Sequence, residues 1–157
     1  MIKIYVANKT AYPTSESYIR SVLETFYGIT APTILKTENG KPYLENNPVH
    51  FSLSHTKEKI FLAVANFPVG IDAEKSDRII DETVAKRYFH AERFESPKAL
   101  LRKWIKTESK VKFLGSTLAK ELSHPTEQEL FFSFHETDDH VVCVCSEDPV
   151  LTEYIFL

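Results

Sequence analysis

Between Val49 and Glu74 the chain reads as three short strands in succession: Val49 to Ser54, Ile60 to Asn66 and Val69 to Glu74. Short alternating or continuous apolar runs suit a sheet rather than a helix stripe. This block sits inside a longer order. Ile2 to Ala7 alternates apolar and polar residues and reads as an edge strand. Thr14 or Ser15 can cap a helix that runs to Tyr27 and stops at Gly28, with Tyr18, Ile19, Val22, Leu23 and Phe26 as its apolar stripe. A short strand near Ile34 precedes the turn Glu38-Asn39-Gly40-Lys41-Pro42. Asp81 to Phe89 looks helical, and Pro97 is a good first residue for a longer helix reaching Leu114 or beyond. Leu130 to His135, Val141 to Cys145 and Leu151 to Phe156 read as strands, with Asp138-Asp139 in the hairpin between the first two. The order strand, helix, strands, helices, strands is an α+β layout with mostly antiparallel pairing.

The 157 residues, 43% of them hydrophobic, can bury one sizeable core, so a single compact unit is expected. Two related halves packed together would also fit. No stretch reaches the ~18 apolar residues that a bilayer crossing needs. The longest apolar run, Ile60 to Ile71, is broken by Asn66 and Pro68, and the first residues, MIKIYVANKT, lack the apolar core of a signal peptide. A soluble, cytoplasmic protein is the expectation. Cys143 and Cys145 lie two apart on a strand, where a disulfide between them would be strained; two reduced thiols are expected. Residues 86–112 hold nine Lys/Arg against three Glu, inside a chain of net charge −3. Such a run is usually a solvated helix face; the other reading is a dock for an anion or an acidic protein. Nucleic acid does not fit, because the chain is acidic and no basic patch carries interleaved aromatics.

Chemistry is concentrated in three segments. Val69-Gly70-Ile71-Asp72-Ala73-Glu74 ends an apolar strand in two acids that alternation puts on one face. Carboxylates so close need a cation nearby, and hard oxygen ligands suit magnesium. Gly70 leaves room for a close approach. The plainer reading is an acidic turn after a strand. In the helix Leu100 to Lys112, the residues Leu100, Leu101, Trp104, Val111 and Leu118 fall on one arc, and Glu108 falls in its middle. A carboxylate there must be paired or ligated. Lys112 lies one turn on, so an exposed Glu–Lys helix pair is the alternative. The strand Val49 to Ser54 ends in Ser54-His55, but strand neighbours point to opposite faces, so a serine–histidine nucleophile is poorly supported. His55 could instead meet a phosphate, or be a strand-end histidine without a ligand.

Together these segments resemble the 4′-phosphopantetheinyl transferase superfamily, in its Sfp-like branch. That branch carries a G-K-P turn, F-N-x-S-H, V-G-[IV]-D-x-E and W-[ST]-x-K-E-[AS]-x-x-K. Here the matching segments are Gly40-Lys41-Pro42, Phe51-Ser52-Leu53-Ser54-His55, Val69 to Glu74, and Trp104 to Lys112. Arg87-Tyr88-Phe89-His90-Ala91-Glu92 resembles the helix-turn before the last motif, and Gly115-Ser116-Thr117-Leu118 stands where G-x-G-L is frequent. Thr107 stands in place of the motif Lys, Ile105 in place of Ser or Thr, and Ser52 in place of Asn.

The resemblance implies a pseudodimer of two α/β halves with antiparallel sheets, residues 1–68 and 69–157, with the active site between them, acting as a monomer. It implies transfer of the phosphopantetheine of coenzyme A to a serine of an apo acyl or peptidyl carrier protein. Mg2+ would be held by Asp72, Glu74 and Glu108. Glu108 would be the base and Lys112 would steady the phosphate or protonate the leaving group. Lys41, Ser54 and His55 would bind the coenzyme. The carrier is usually acidic, which gives residues 86–112 a docking role. Two alternatives stay open: a relative that binds coenzyme A or a carrier without turnover, and an unrelated magnesium-dependent phosphohydrolase.

Overall fold

The computed structural model describes residues 1–46, 48–90, 96–137 and 139–157. Asp138 of the expected hairpin, and Ala91 and Glu92 of the expected helix-turn, lie outside the described residues. The chain runs β1 (Ile2–Asn8), α1 (Ser15–Tyr27), β2 (Ile34–Lys36), β3 (Pro42–Leu44), β4 (His50–His55), β5 (Lys59–Ala65), β6 (Gly70–Lys75), α2 (Glu82–Phe89), α3 (Pro97–Leu114), α4 (Leu118–Ser123), β7 (Phe131–Glu136), β8 (His140–Ser146) and β9 (Thr152–Phe156). Strands β4-β5-β1-β9 form one sheet, β6-β8-β7 a second, and β2-β3 a small ribbon. All pairings are antiparallel except β1 with β9.

The helix ends follow from local chemistry. The Thr14 hydroxyl accepts from the Ser17 amide in a capping box, and Gly28 closes α1. Asp81 caps α2 by accepting from the Thr83 and Val84 amides. Ser96 caps α3 one residue before Pro97, and Gly115, at φ 63°, ends it. Leu118 therefore belongs to α4 and not to the arc expected of α3.

The layers are α1, the four-stranded sheet, the three-stranded sheet and α3. Tyr5, Leu62 and Val64 face Tyr18, Ile19, Val22 and Leu23 of α1. Ile2, Ile4, Val6, Phe61 and Ala63 meet Ile71, Ala73, Val142 and Val144 between the sheets. Val141 and Cys143 face Leu100, Leu101 and Ile105 of α3. Each fully buried Ile, Leu or Val contributes about 1.5–3 kcal/mol relative to exposure.

Three expectations are corrected. β1 is not an edge: β5 and β9 flank it, and apart from its last residue, Asn8, only Lys3 is exposed in a strand buried on both faces. Phe26 is 45% exposed at the end of α1, its ring leaning over Tyr5 at 4.8 Å, so the stripe narrows to four residues. The buried side of α3 is centred further round than the expected arc, through Ile105 and Ser109, while Trp104 lies at its margin against Phe89 and Tyr88. Both cysteines are free and buried, and burial pushes each thiol up to about 12.

Candidate active site

The site is built where β6 lies against α3. A side chain at position 70 would forbid that contact: a Cβ on Gly70 would stand 2.1 Å from the Ser109 carbonyl oxygen and 2.6 Å from the Phe113 amide nitrogen. The glycine lets strand and helix backbones touch, and so sets the reach from Asp72 on β6 to Glu108 and Lys112 on α3.

Asp72 is 5% exposed. Its Oδ1 accepts from Ser54 Oγ at 2.9 Å and from Lys112 Nζ at 2.7 Å. Its Oδ2 is buried and has no hydrogen-bond partner among the described residues. Glu108 is half-buried; burial first, then the negative charge of Asp72, push its carboxyl above the usual range, while Lys112 and Arg78 pull the other way. Asp72 and Glu108 are thus within electrostatic reach of each other, with Lys112 and Arg78 supplying the opposing positive charge. Glu74 is turned onto the Arg78 guanidinium, which also stands 5.9 Å from the Trp104 ring centroid. Arg78 escaped the sequence reading; its only sequence signal is the four-residue spacing from Glu74, in a segment with no regular element.

Among the described residues no group of three or more His, Cys, Asp or Glu side chains forms a ready-made metal cage. The cations among the acids here are Lys112 and Arg78. The donor set nevertheless fits a divalent ion. Among the described residues Asp72 Oδ2 is an orphaned buried oxygen, Glu108 is a carboxyl whose charge is disfavoured by burial first and then by Asp72, and these two groups and Glu74 are hard oxygen donors.

The remaining site residues divide between two places. The Gly40-Lys41-Pro42 turn docks on the C-terminus of α3: Lys41 Nζ donates to the Phe113 carbonyl at 3.1 Å, and Asn39 Nδ2 donates to the Gly115 carbonyl at 2.8 Å. A cation at a helix C-terminus meets both free carbonyls and the negative end of the dipole. Burial pulls the Lys41 amine below its usual range. Lys41 and Lys112 border one cleft of about 280 Å³, together with Pro42, Ser52 and Ser116. His55 is exposed on the opposite face of β4 from Ser54, its Nδ1 3.2 Å from Lys9 Nζ. The structure therefore joins Ser54 to the acids and sets His55 apart with Lys9.

Removing Lys112 tests the electrostatics of this arrangement. Lys112→Met leaves the Asp72 charge buried beside Ser54 alone. Breaking a fully buried pair costs about 3–5 kcal/mol, and the 29% exposure of the Lys112 side chain reduces that to about 1–3 kcal/mol. Asp72→Asn in the same background should restore most of the loss in urea denaturation; a double variant weaker than Lys112→Met would refute the pairing.

Comparison with known proteins adds a second line of support. The chain is 32% identical over 124 residues to the 4′-phosphopantetheinyl transferase gsp of Aneurinibacillus migulanus, a match covering 71% of this chain and 52% of that protein. It is 27% identical over 169 residues to the 4′-phosphopantetheinyl transferase psf-1 of Bacillus pumilus, covering 89% and 72%. It is 32% identical over 139 residues to a 4′-phosphopantetheinyl transferase of Bacillus subtilis, covering 80% and 58%. The chain thus spans about half the length of the first of these relatives. No protein-family model matches it.

Proposed function

Because the chain belongs to the 4′-phosphopantetheinyl transferase superfamily, as a relative of its Sfp-like branch, we propose that it transfers the phosphopantetheine of coenzyme A to a serine of an apo acyl or peptidyl carrier protein. The observation that carries this reading is the junction of β6 and α3, where Asp72, with an unsatisfied buried oxygen, stands beside a Glu108 of raised affinity for protons and a Lys112 cation.

Asp72, Glu74 and Glu108 would hold Mg2+, which supplies charge neutralisation at the coenzyme's diphosphate. Ionised Glu108 takes the proton of the carrier serine, directly or through a water. The serine oxygen bonds to the phosphorus that bears the pantetheine arm. The phosphoanhydride bond on its other side breaks, and adenosine 3′,5′-bisphosphate leaves with the bonding electrons. Lys112 steadies that charge or gives it a proton. Lys41, at the cleft it shares with Lys112, contacts the coenzyme; Ser54 acts on it through Asp72; His55, with Lys9 beside it, meets a phosphate of the nucleotide half. The acceptable architecture for this chemistry is a monomeric pseudodimer with halves at residues 1–68 and 69–157, the last strand β9 crossing to pair with β1 in the first sheet. Among the described residues no helix is long and apolar enough to cross a membrane.

The reading is tested by incubating the protein with coenzyme A, Mg2+ and a panel of apo-carriers and weighing the carriers. A gain of one phosphopantetheine is expected. Coenzyme binding with no gain on any carrier would replace it with the binding-only reading.

The exposed side of α3 turned away from β6 carries Lys103 and Lys106, the latter 4.6 Å from the Phe132 ring centroid. An acidic carrier would be steered by these charges. Lys103→Glu with Lys106→Glu is expected to lower kcat/KM for the carrier about tenfold at low salt and much less at high salt, with KM for coenzyme A unchanged. A loss independent of salt would contradict steering.

A further inference from the structure

We infer that Ser52 and Ser54 form a two-rung hydroxyl seam between the two sheets, and that they are positioning residues which determine which oxygen of Asp72 is presented to a ligand. The inference rests on the transferase reading for its functional part and on geometry alone for the seam.

β4 is the edge of the four-stranded sheet and β6 the edge of the three-stranded sheet. No backbone ladder joins them. Alternation puts Ser52 and Ser54 on the same face of β4, and both are buried, at 3% and 5% exposure. Ser52 Oγ accepts from the Ile71 amide at 3.1 Å, and Ser54 Oγ accepts from the Ala73 amide at 3.1 Å. The two rungs therefore grip the residues on either side of Asp72. They supply the acceptors that a neighbouring strand's carbonyls would otherwise give.

The upper rung does more. A serine hydroxyl has one proton, and Ser54 donates it to Asp72 Oδ1. With Lys112 Nζ on the same oxygen, Oδ1 holds two donors and Oδ2 none among the described residues. An aspartate with one oxygen doubly engaged cannot turn without breaking both bonds. Ser54 and Lys112 thus lock the carboxylate with Oδ2 outstanding, while Ser52 holds the strand at the right height. Ser52 also borders the cleft that Lys41 and Lys112 share, so the lower rung lies at the wall of the proposed coenzyme site. Partners that orient a ligating group typically alter metal affinity about 10–100-fold when removed.

Two measurements on the full chain decide this. Amide hydrogen exchange reads the seam: Ser52→Ala should speed exchange at Ile71, and Ser54→Ala at Ala73, each selectively. Calorimetric titration with Mg2+ in the presence of coenzyme A reads the positioning: Ser54→Ala should weaken binding about tenfold, and Ser54→Thr, which keeps the hydroxyl, should recover most of it. A serine that only stabilises the fold would change the melting temperature and leave the Mg2+ affinity of the folded protein alone. Uniform exchange across β6 in both variants overturns the seam. Equal Mg2+ affinity in Ser54→Ala and the unsubstituted protein overturns the positioning role. Failure of the unsubstituted protein to bind Mg2+ with coenzyme A counts against the transferase reading and removes the positioning role with it, while exchange still decides the seam.

Discussion

Glu108→Gln is expected to lower phosphopantetheine transfer about 10³-fold while making the folded protein more stable at neutral pH. Glutamine keeps the shape of the side chain and removes the base, and a general base is worth about 10²–10⁴ in rate. The gain in stability follows from the raised carboxyl. Burial and Asp72 favour the protonated form of Glu108 in the folded chain. A group whose folded value is raised contributes stability at pH below its ordinary range, and that contribution is lost as pH climbs through the folded value. Glutamine mimics the protonated state at every pH. Its advantage in melting temperature should therefore be full at pH 7–8, fade as pH falls through the raised folded value, and be gone below about 4.3, the ordinary glutamate value. For the unsubstituted enzyme, kcat/KM should rise with pH through the raised Glu108 value and then level off. Full transfer by Glu108→Gln would remove this residue from the chemistry, and a lower melting temperature at pH 7–8 would refute the electrostatic account.

Gly70→Ala should produce the largest loss of stability of any conservative single change near the site. The added carbon would meet two backbone atoms of α3, at 2.1 and 2.6 Å, and neither belongs to a side chain that can swing away. Strand and helix must separate. Overpacking of this kind costs about 3 kcal/mol or more, which for a chain of this size is a fall in melting temperature of roughly 10 °C. The molecules that remain folded should also turn over slowly, because the separation moves Glu108 and Lys112 away from Asp72. Urea denaturation together with transfer rates per folded molecule checks both parts. A melting temperature unchanged by the substitution would mean that the close packing of β6 on α3 does not hold in solution.

What could be read from the sequence was local. Thr14, Gly28 and Pro97 announce helix ends because caps and first turns depend on a few neighbouring residues. Glu108 stands out because a carboxylate in an apolar arc demands a partner, and Asp72 and Glu74 stand out at the end of an apolar strand. Alternation placed Ser54 and His55 on opposite faces, as the structure has them. What could not be read depends on which surfaces meet across long stretches of chain. The single Lys3 made β1 look half-exposed, since nothing local tells that β9, at the other end of the chain, will pair with it. Arg78 follows a strand in an irregular turn, where no period predicts its direction, yet it neutralises Glu74 and draws on Glu108. Ser52 reads as a departure from a motif until its hydroxyl is seen on the Ile71 amide.

The common premise is that Asp72, Glu74 and Glu108 can share one divalent ion beside the diphosphate of coenzyme A. Pulsed electron paramagnetic resonance with Mn2+ in place of Mg2+ measures this directly. One Mn2+ per protein, coupled to coenzyme phosphorus and lost in Glu108→Gln, is the expected result. Mn2+ that binds the coenzyme equally well with or without the protein, and is indifferent to Glu108, would contradict it.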